Sequence, residues 1–109
     1  MQERLRIHHG IGSRVLLDSA RDGVSYEWSP DGSGHVFHVH IEPGPILDEI
    51  LRLRRELNVF LFRDDENGAT IEKQWFYTGD REPWYDSDTG TLTLVSSRTL
   101  TYHPGDFES

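Results

Sequence analysis

The chain has no cysteine. Disulfide bridges, thiolate metal centres and cysteine nucleophiles are therefore excluded, and a cytoplasmic setting is expected. It has one lysine, Lys73, and ten arginines. No apolar run approaches the roughly 20 residues a membrane-spanning helix needs. The opening MQERLRIHHG has no apolar stretch of the kind a secretory leader uses. Basic charge is scarce, with 11 Lys+Arg against 19 Asp+Glu and a net charge of −8. That balance works against phosphate backbones and anionic membrane surfaces, so neither nucleic acid nor membrane is the expected partner. Also missing are a phosphate-cradling glycine loop, a dinucleotide fingerprint and a nucleophile elbow, and no catalytic residue is assigned.

What remains is 109 residues, 35% hydrophobic and 28% charged, the profile of one globular domain over 1–109 with a flexible tail from about 104 to 109. Leu5, Ile7 and His9 alternate with Arg4, Arg6 and His8, which reads as a strand. RVLLD, 14–18, is a second short strand, and Asp22-Gly23 signals a turn. Val24, Tyr26 and Trp28 alternate with Ser25, Glu27 and Ser29 in a half-buried strand. Phe37, Val39 and Ile41 form the apolar side of the next. VFLF, 59–62, is apolar on both faces and reads as an interior strand. Asn67-Gly68 turns the chain into a returning strand, 70–77. Residues 78–90 read as a long loop, and 91–102 as one bent strand or two short ones.

One helix stands out, over about 45–57. Pro45 suits its first turn, and Ile46, Ile50, Leu53 and Leu57 recur at helical spacing. Acids come early in it and arginines late, as the helix dipole favours. The expected fold is α+β: a curled antiparallel meander of about seven or eight strands, with this amphipathic helix inserted mid-chain and packed on the sheet.

Three of the six histidines fall within HVFHVH, 35–40. Strand parity puts His38 and His40 on one face with Glu42, and sends His35 to the loop edge. Matching apolar faces pairs Trp28 with Phe37 and Tyr26 with Val39, which sets Glu27 opposite His38, or opposite His40 after a two-residue slip. Glu27, His38, His40 and Glu42 thus form a candidate site for a divalent metal, or for a histidine base oriented by a carboxylate. The competing expectation, favoured here, is an ordinary solvated sheet face with His–Glu pairs across strands. HVH resembles the first histidine motif of cupins, and HVFHVHIEP resembles the histidine strand of histidine-triad nucleotide hydrolases. The second cupin motif is missing, and Glu42 stands at the third histidine of the triad pattern, so neither family is assigned.

The acidic excess of the second half lies between Asp64 and Asp88, where eight acids face only Lys73 and Arg81. Aromatics are interleaved there, in QWFYTGDREPWYDSD, 74–88. Because Trp75, Phe76 and Tyr77 alternate, one side of that strand must carry rings away from the core. Aromatic anchors with acids suit a protein interface, where rings supply contact area and charge steers the approach. The leading expectation is therefore a non-enzymatic module, of inhibitor or immunity type, meeting a basic protein partner. Its surface would comprise Asp64, Asp65, Glu66, Asp80, Glu82, Trp84, Tyr85, Asp86 and Asp88, with no cofactor required. Asp86, Asp88 and Gly90 also fit the opening of a calcium loop, but the bidentate Glu is missing and a turn accounts for them.

Overall fold

Alternating strands need a partner surface for their apolar side, and here two sheets supply it for each other. A computed structural model describes residues 2–10, 14–32, 34–78 and 81–103. The strands are β1 (Gln2–His9), β2 (Val15–Asp18), β3 (Ser25–Asp31), β4 (Gly34–His40), β5 (Leu57–Asp64), β6 (Thr70–Tyr77), β7 (Trp84–Asp86), β8 (Thr91–Ser96) and β9 (Arg98–Tyr102). They form a five-stranded sheet, β2-β1-β5-β6-β9, and a four-stranded sheet, β3-β4-β8-β7. All pairings are antiparallel. Two helices complete the described fold, α1 (Ser19–Asp22) and α2 (Pro45–Arg52).

The inner faces meet in one core. Leu5, Ile7, Val59, Leu61 and Phe76 come from the five-stranded sheet, and Phe37, Val39, Leu92 and Leu94 from the other. Phe37 and Phe76 touch edge to face across the gap, with ring centroids 4.8 Å apart. Leu47 and Ile50 of α2 join this core, while Arg14, just before β2, reaches back to Glu49 at 2.5 Å. Glu3 ties the sheets together at one edge. It accepts from the Tyr26 hydroxyl at 2.8 Å and the Trp28 indole at 3.1 Å, and pairs with Arg63 at 3.2 Å.

Three expectations need correction. There are two sheets where one curled sheet was expected, because β8 and β9 pair in different sheets and the chain crosses between them at Ser97. The crossing is tight: a Cβ on Gly34 would lie 1.8 Å from the Ser96 carbonyl oxygen, so only glycine fits there. The main helix ends at Arg52, not near 57. Leu57 pairs instead with His9 and extends the β1–β5 ladder, a stronger claim on that residue than one more helical turn through Arg54 and Arg55. Ser19–Asp22, read only as the approach to a turn, is a one-turn helix capped by the Asp18 carboxylate, which accepts from the backbone of Ala20 and Arg21. The expected flexible tail lies outside the described residues.

Candidate functional site

The β3–β4 register is the one that face matching predicts. Trp28 pairs with Phe37, Tyr26 with Val39, Glu27 with His38 and Ser25 with His40. On the outer face of the four-stranded sheet the Glu27 carboxylate turns along the diagonal. Its two oxygens lie 2.8 and 2.9 Å from His40 Nε2. His38 instead places Nδ1 3.2 Å from the Thr93 hydroxyl on β8. β4 ends at His40, so Glu42 stands beyond the strand; it and His40 both border a recess of about 420 Å³ beside the start of α2. Among the described residues no three His, Asp or Glu side chains gather into a metal-holding group. His35 has left this face as expected, but it is not at a loop edge. It sits within β4 with its ring between Trp28 and Phe76, at centroid distances of 5.6 and 5.1 Å.

The acidic aromatic run does not form one patch. Asp64, Asp65 and Glu66 lie at the hairpin end of β6, and the loop after Tyr77 leaves its other end. Eight strand residues separate the two by roughly 24 Å. Two of the hairpin acids serve the turn itself. Asp64 pairs with Arg4 at 2.9 Å and accepts from Thr70 at 2.8 Å, while Asp65 accepts from the backbone of Asn67 and Ala69. Arg4 holds the Asp64 carboxyl below its ordinary range. Glu82 is bound by Arg55 and Arg54, which lower its pKa in that order. Asp80 lies outside the described residues.

Trp84, Tyr85 and Asp86 occupy β7, a strand where a loop was expected, and Asp88 lies in the turn after it. β7 pairs with β8, setting Trp84 beside Thr93, Tyr85 beside Leu92 and Asp86 beside Thr91. Parity then sorts them. Tyr85 turns inward, packs against the core and donates its hydroxyl to the Ile41 carbonyl at 2.8 Å. Trp84 turns outward and remains 48% exposed, a large area of indole left in water. Asp86 and Asp88 are exposed, and the Asp86 carboxylate accepts the Asp88 N–H at 2.9 Å in the turn before β8. That turn closes at Gly90 with φ of 66° and answers the calcium-loop spacing as a plain turn.

Strand order thus joins two groups that lie far apart in sequence. Across β3, β4, β8 and β7, one row of the outer face reads Glu27, His38, Thr93, Trp84, and the next reads Ser25, His40, Thr91, Asp86. Aromatic surface, acids and two imidazoles share one sheet face. The Arg81 guanidinium lies 6.0 Å from the Trp84 ring centroid. Nothing in local sequence identifies this join, because it depends on β8 lying between β4 and β7. Comparison with protein-family models, curated proteins and solved structures finds no match to this chain, so the functional reading rests on these residues.

Proposed function

We propose that this chain is a non-enzymatic binding module that docks a basic protein partner through the outer face of its four-stranded sheet, in the manner of an inhibitor or immunity protein. The observation that supports it is an exposed Trp84 that shares that face with Glu27 and Asp86, with the exposed Asp88 in the turn that follows β7. A tryptophan in water is the kind of anchor that dominates interface energetics, and surrounding acids steer and select a cationic surface. The net charge of −8 favours the same class of partner. Relative to the run 64–88, this surface keeps Trp84, Asp86 and Asp88, gains Glu27, His38 and His40, and leaves out the hairpin acids and Tyr85.

The test is capture from a lysate by immobilised wild-type chain and by a Trp84→Ala/Asp86→Asn variant. The wild type should retain a basic protein. The variant should lose it by at least about 30-fold, the equivalent of roughly 2 kcal/mol for one anchor residue, with an unchanged melting temperature. Equal capture by a folded variant would remove this face from the account.

A second reading, metal-dependent or histidine-based chemistry at Glu27, His38, His40 and Glu42, is supported by the Glu27–His40 contact alone. It requires stoichiometric zinc uptake, or a hydrolytic activity, that His38→Ala/His40→Ala abolishes. Zinc titration by calorimetry with no saturable heat would dispose of its metal form.

A further inference from the structure

The opposite side of the molecule carries a second built surface, and its composition runs against the charge of the chain. On the outer face of the five-stranded sheet, the register across β1, β5, β6 and β9 gives the row Arg4, Phe62, Lys73, Tyr102 and beside it Arg6, Phe60, Trp75, Leu100. A third row adds His8, Asn58, Tyr77 and Arg98. The rings are not bare. Arg4 and Arg6 lie over Phe62 at 4.6 and 5.0 Å from its centroid, and the Lys73 ammonium lies 4.6 Å from that of Phe60. Between them is a basin of about 720 Å³, lined chiefly by Asn58, Phe60, Phe62, Lys73, Trp75 and Tyr102. That volume suits a small organic molecule. Leu100, 49% exposed, borders the same face.

The cations on this face differ in their partners. Arg4 is shared between Asp18 and Asp64, and Arg6 is bound to Asp18. Among the described residues no carboxylate lies within ion-pair distance of Lys73, which is the only lysine of the chain, or of Arg98 at the rim over Tyr77. An unpaired ammonium inside an aromatic dish, on a chain with so many surplus acids, is a complement for a single negative charge.

We propose that this basin binds a small planar aromatic monoanion, its ring system packed among Phe60, Trp75 and Tyr102 and its carboxylate or sulfonate on Lys73. Stacking supplies contact area, and a charge-assisted hydrogen bond to the ammonium selects the anion. A nucleic acid strand would stack equally well, but its further phosphates would meet Asp64, Asp65 and Glu66 at the hairpin end of the basin and the negative field of the whole chain. One anion fits; a polyanion is repelled.

The experiment uses the single lysine as reporter. Isotope-labelled reductive dimethylation keeps its charge and gives one side-chain signal apart from the α-amine. Naphthoate, its neutral amide and oligothymidylate are titrated in turn, with the tryptophan indole signals as a second readout. Naphthoate should move the Lys73 signal and one indole signal saturably, the amide should bind at least about tenfold more weakly, and oligothymidylate should bind more weakly than naphthoate. Lys73→Gln should weaken naphthoate by a similar factor, read on the indole signal, and Tyr102→Ala should weaken naphthoate and amide alike. The amide comparison needs no variant and so stands even where a variant fails to fold. No saturable shift with naphthoate, equal binding of acid and amide, or tighter binding of oligothymidylate would each overturn the proposal.

Discussion

At His8 the ring packs on Phe60 with centroids 4.5 Å apart, and Nε2 is buried without a hydrogen-bond partner among the described residues. Burial first, and then the nearby positive charges of Arg6 and Lys73, lower its pKa from the ordinary 6.5 to about 4, against a smaller opposing pull from Asp18. The neutral ring is therefore the form the fold accepts. Between those two pH values the unfolded chain takes up a proton that the folded chain refuses, so stability falls as pH drops through this window and is complete above it. His8→Gln should flatten the stability curve between about pH 6.5 and 4 relative to wild type, measured by urea unfolding at a series of pH values. Parallel curves for the two proteins would contradict this assignment. The carboxylates act in the same direction at lower pH. Glu49, drawn down to about 2 by Arg52 and then Arg14, contributes above its unfolded pKa and loses that contribution only as pH falls toward its folded value.

At the scale of elements, Asp18 does two jobs where β2 becomes α1. Oδ1 accepts from the backbone of Ala20 and Arg21 at 3.0 and 3.1 Å, and Oδ2 binds Arg6 at 2.6 Å and Arg4 at 3.3 Å. Burial alone would raise its pKa, but the hydrogen bond from Arg6 and the two backbone bonds prevail and lower it. Asp18→Asn keeps a capping oxygen and loses the charge, and should cost about 1 kcal/mol. Asp18→Ala loses the cap as well, leaves both arginines without this partner, and should cost about 2–3 kcal/mol. Denaturant titration of the two variants checks the order, and an Asn variant as weak as the Ala variant would assign the effect to charge alone.

The same scale marks the limit of what local sequence reveals. The β3–β4 register is readable because a one-residue slip would drive Trp28 and Phe37 into water. On β6 alternation tells only that one set of rings must face away: Phe76 is the buried one, and Trp75 and Tyr77 turn outward. VFLF reads correctly as an interior strand, with β5 between β1 and β6, and its apolar outer residues Phe60 and Phe62 are covered by cationic side chains and not by a second core. Alternation tells which residues share a face; it does not tell which sheet a strand joins. That is why residues 91–102 read as one bent strand or two short ones with no choice between them, and why the histidines of β4 and the tryptophan of β7 read as separate sites. β7 itself is hidden by its brevity and by the proline and acids around it, signals that normally mark a loop.

For the whole molecule, the two sheets share one core and neither is covered without the other. The Cα radius of gyration of 13.6 Å matches the roughly 13 Å expected of a compact domain of this length. Phe37, fully buried against Phe76, sits at the centre of that shared interior. Phe37→Ala should cost about 3–5 kcal/mol, a large part of the stability of a domain this size. Calorimetry should still record one cooperative transition at a lower temperature, and two separate transitions would contradict a common core.

The sandwich leaves two outward faces of opposite character: an acidic one around Trp84, and an aromatic one around Lys73. The central claim is that the first receives the protein partner. The most direct measurement is a map of backbone amide signals with the captured partner added to isotope-labelled chain. The largest shifts should fall on Glu27, His38, His40, Trp84 and Asp86, with the hairpin residues Asp64–Glu66 and the Lys73 face unmoved. Shifts centred on the hairpin or on the Lys73 face, with the Trp84 face silent, would contradict the account.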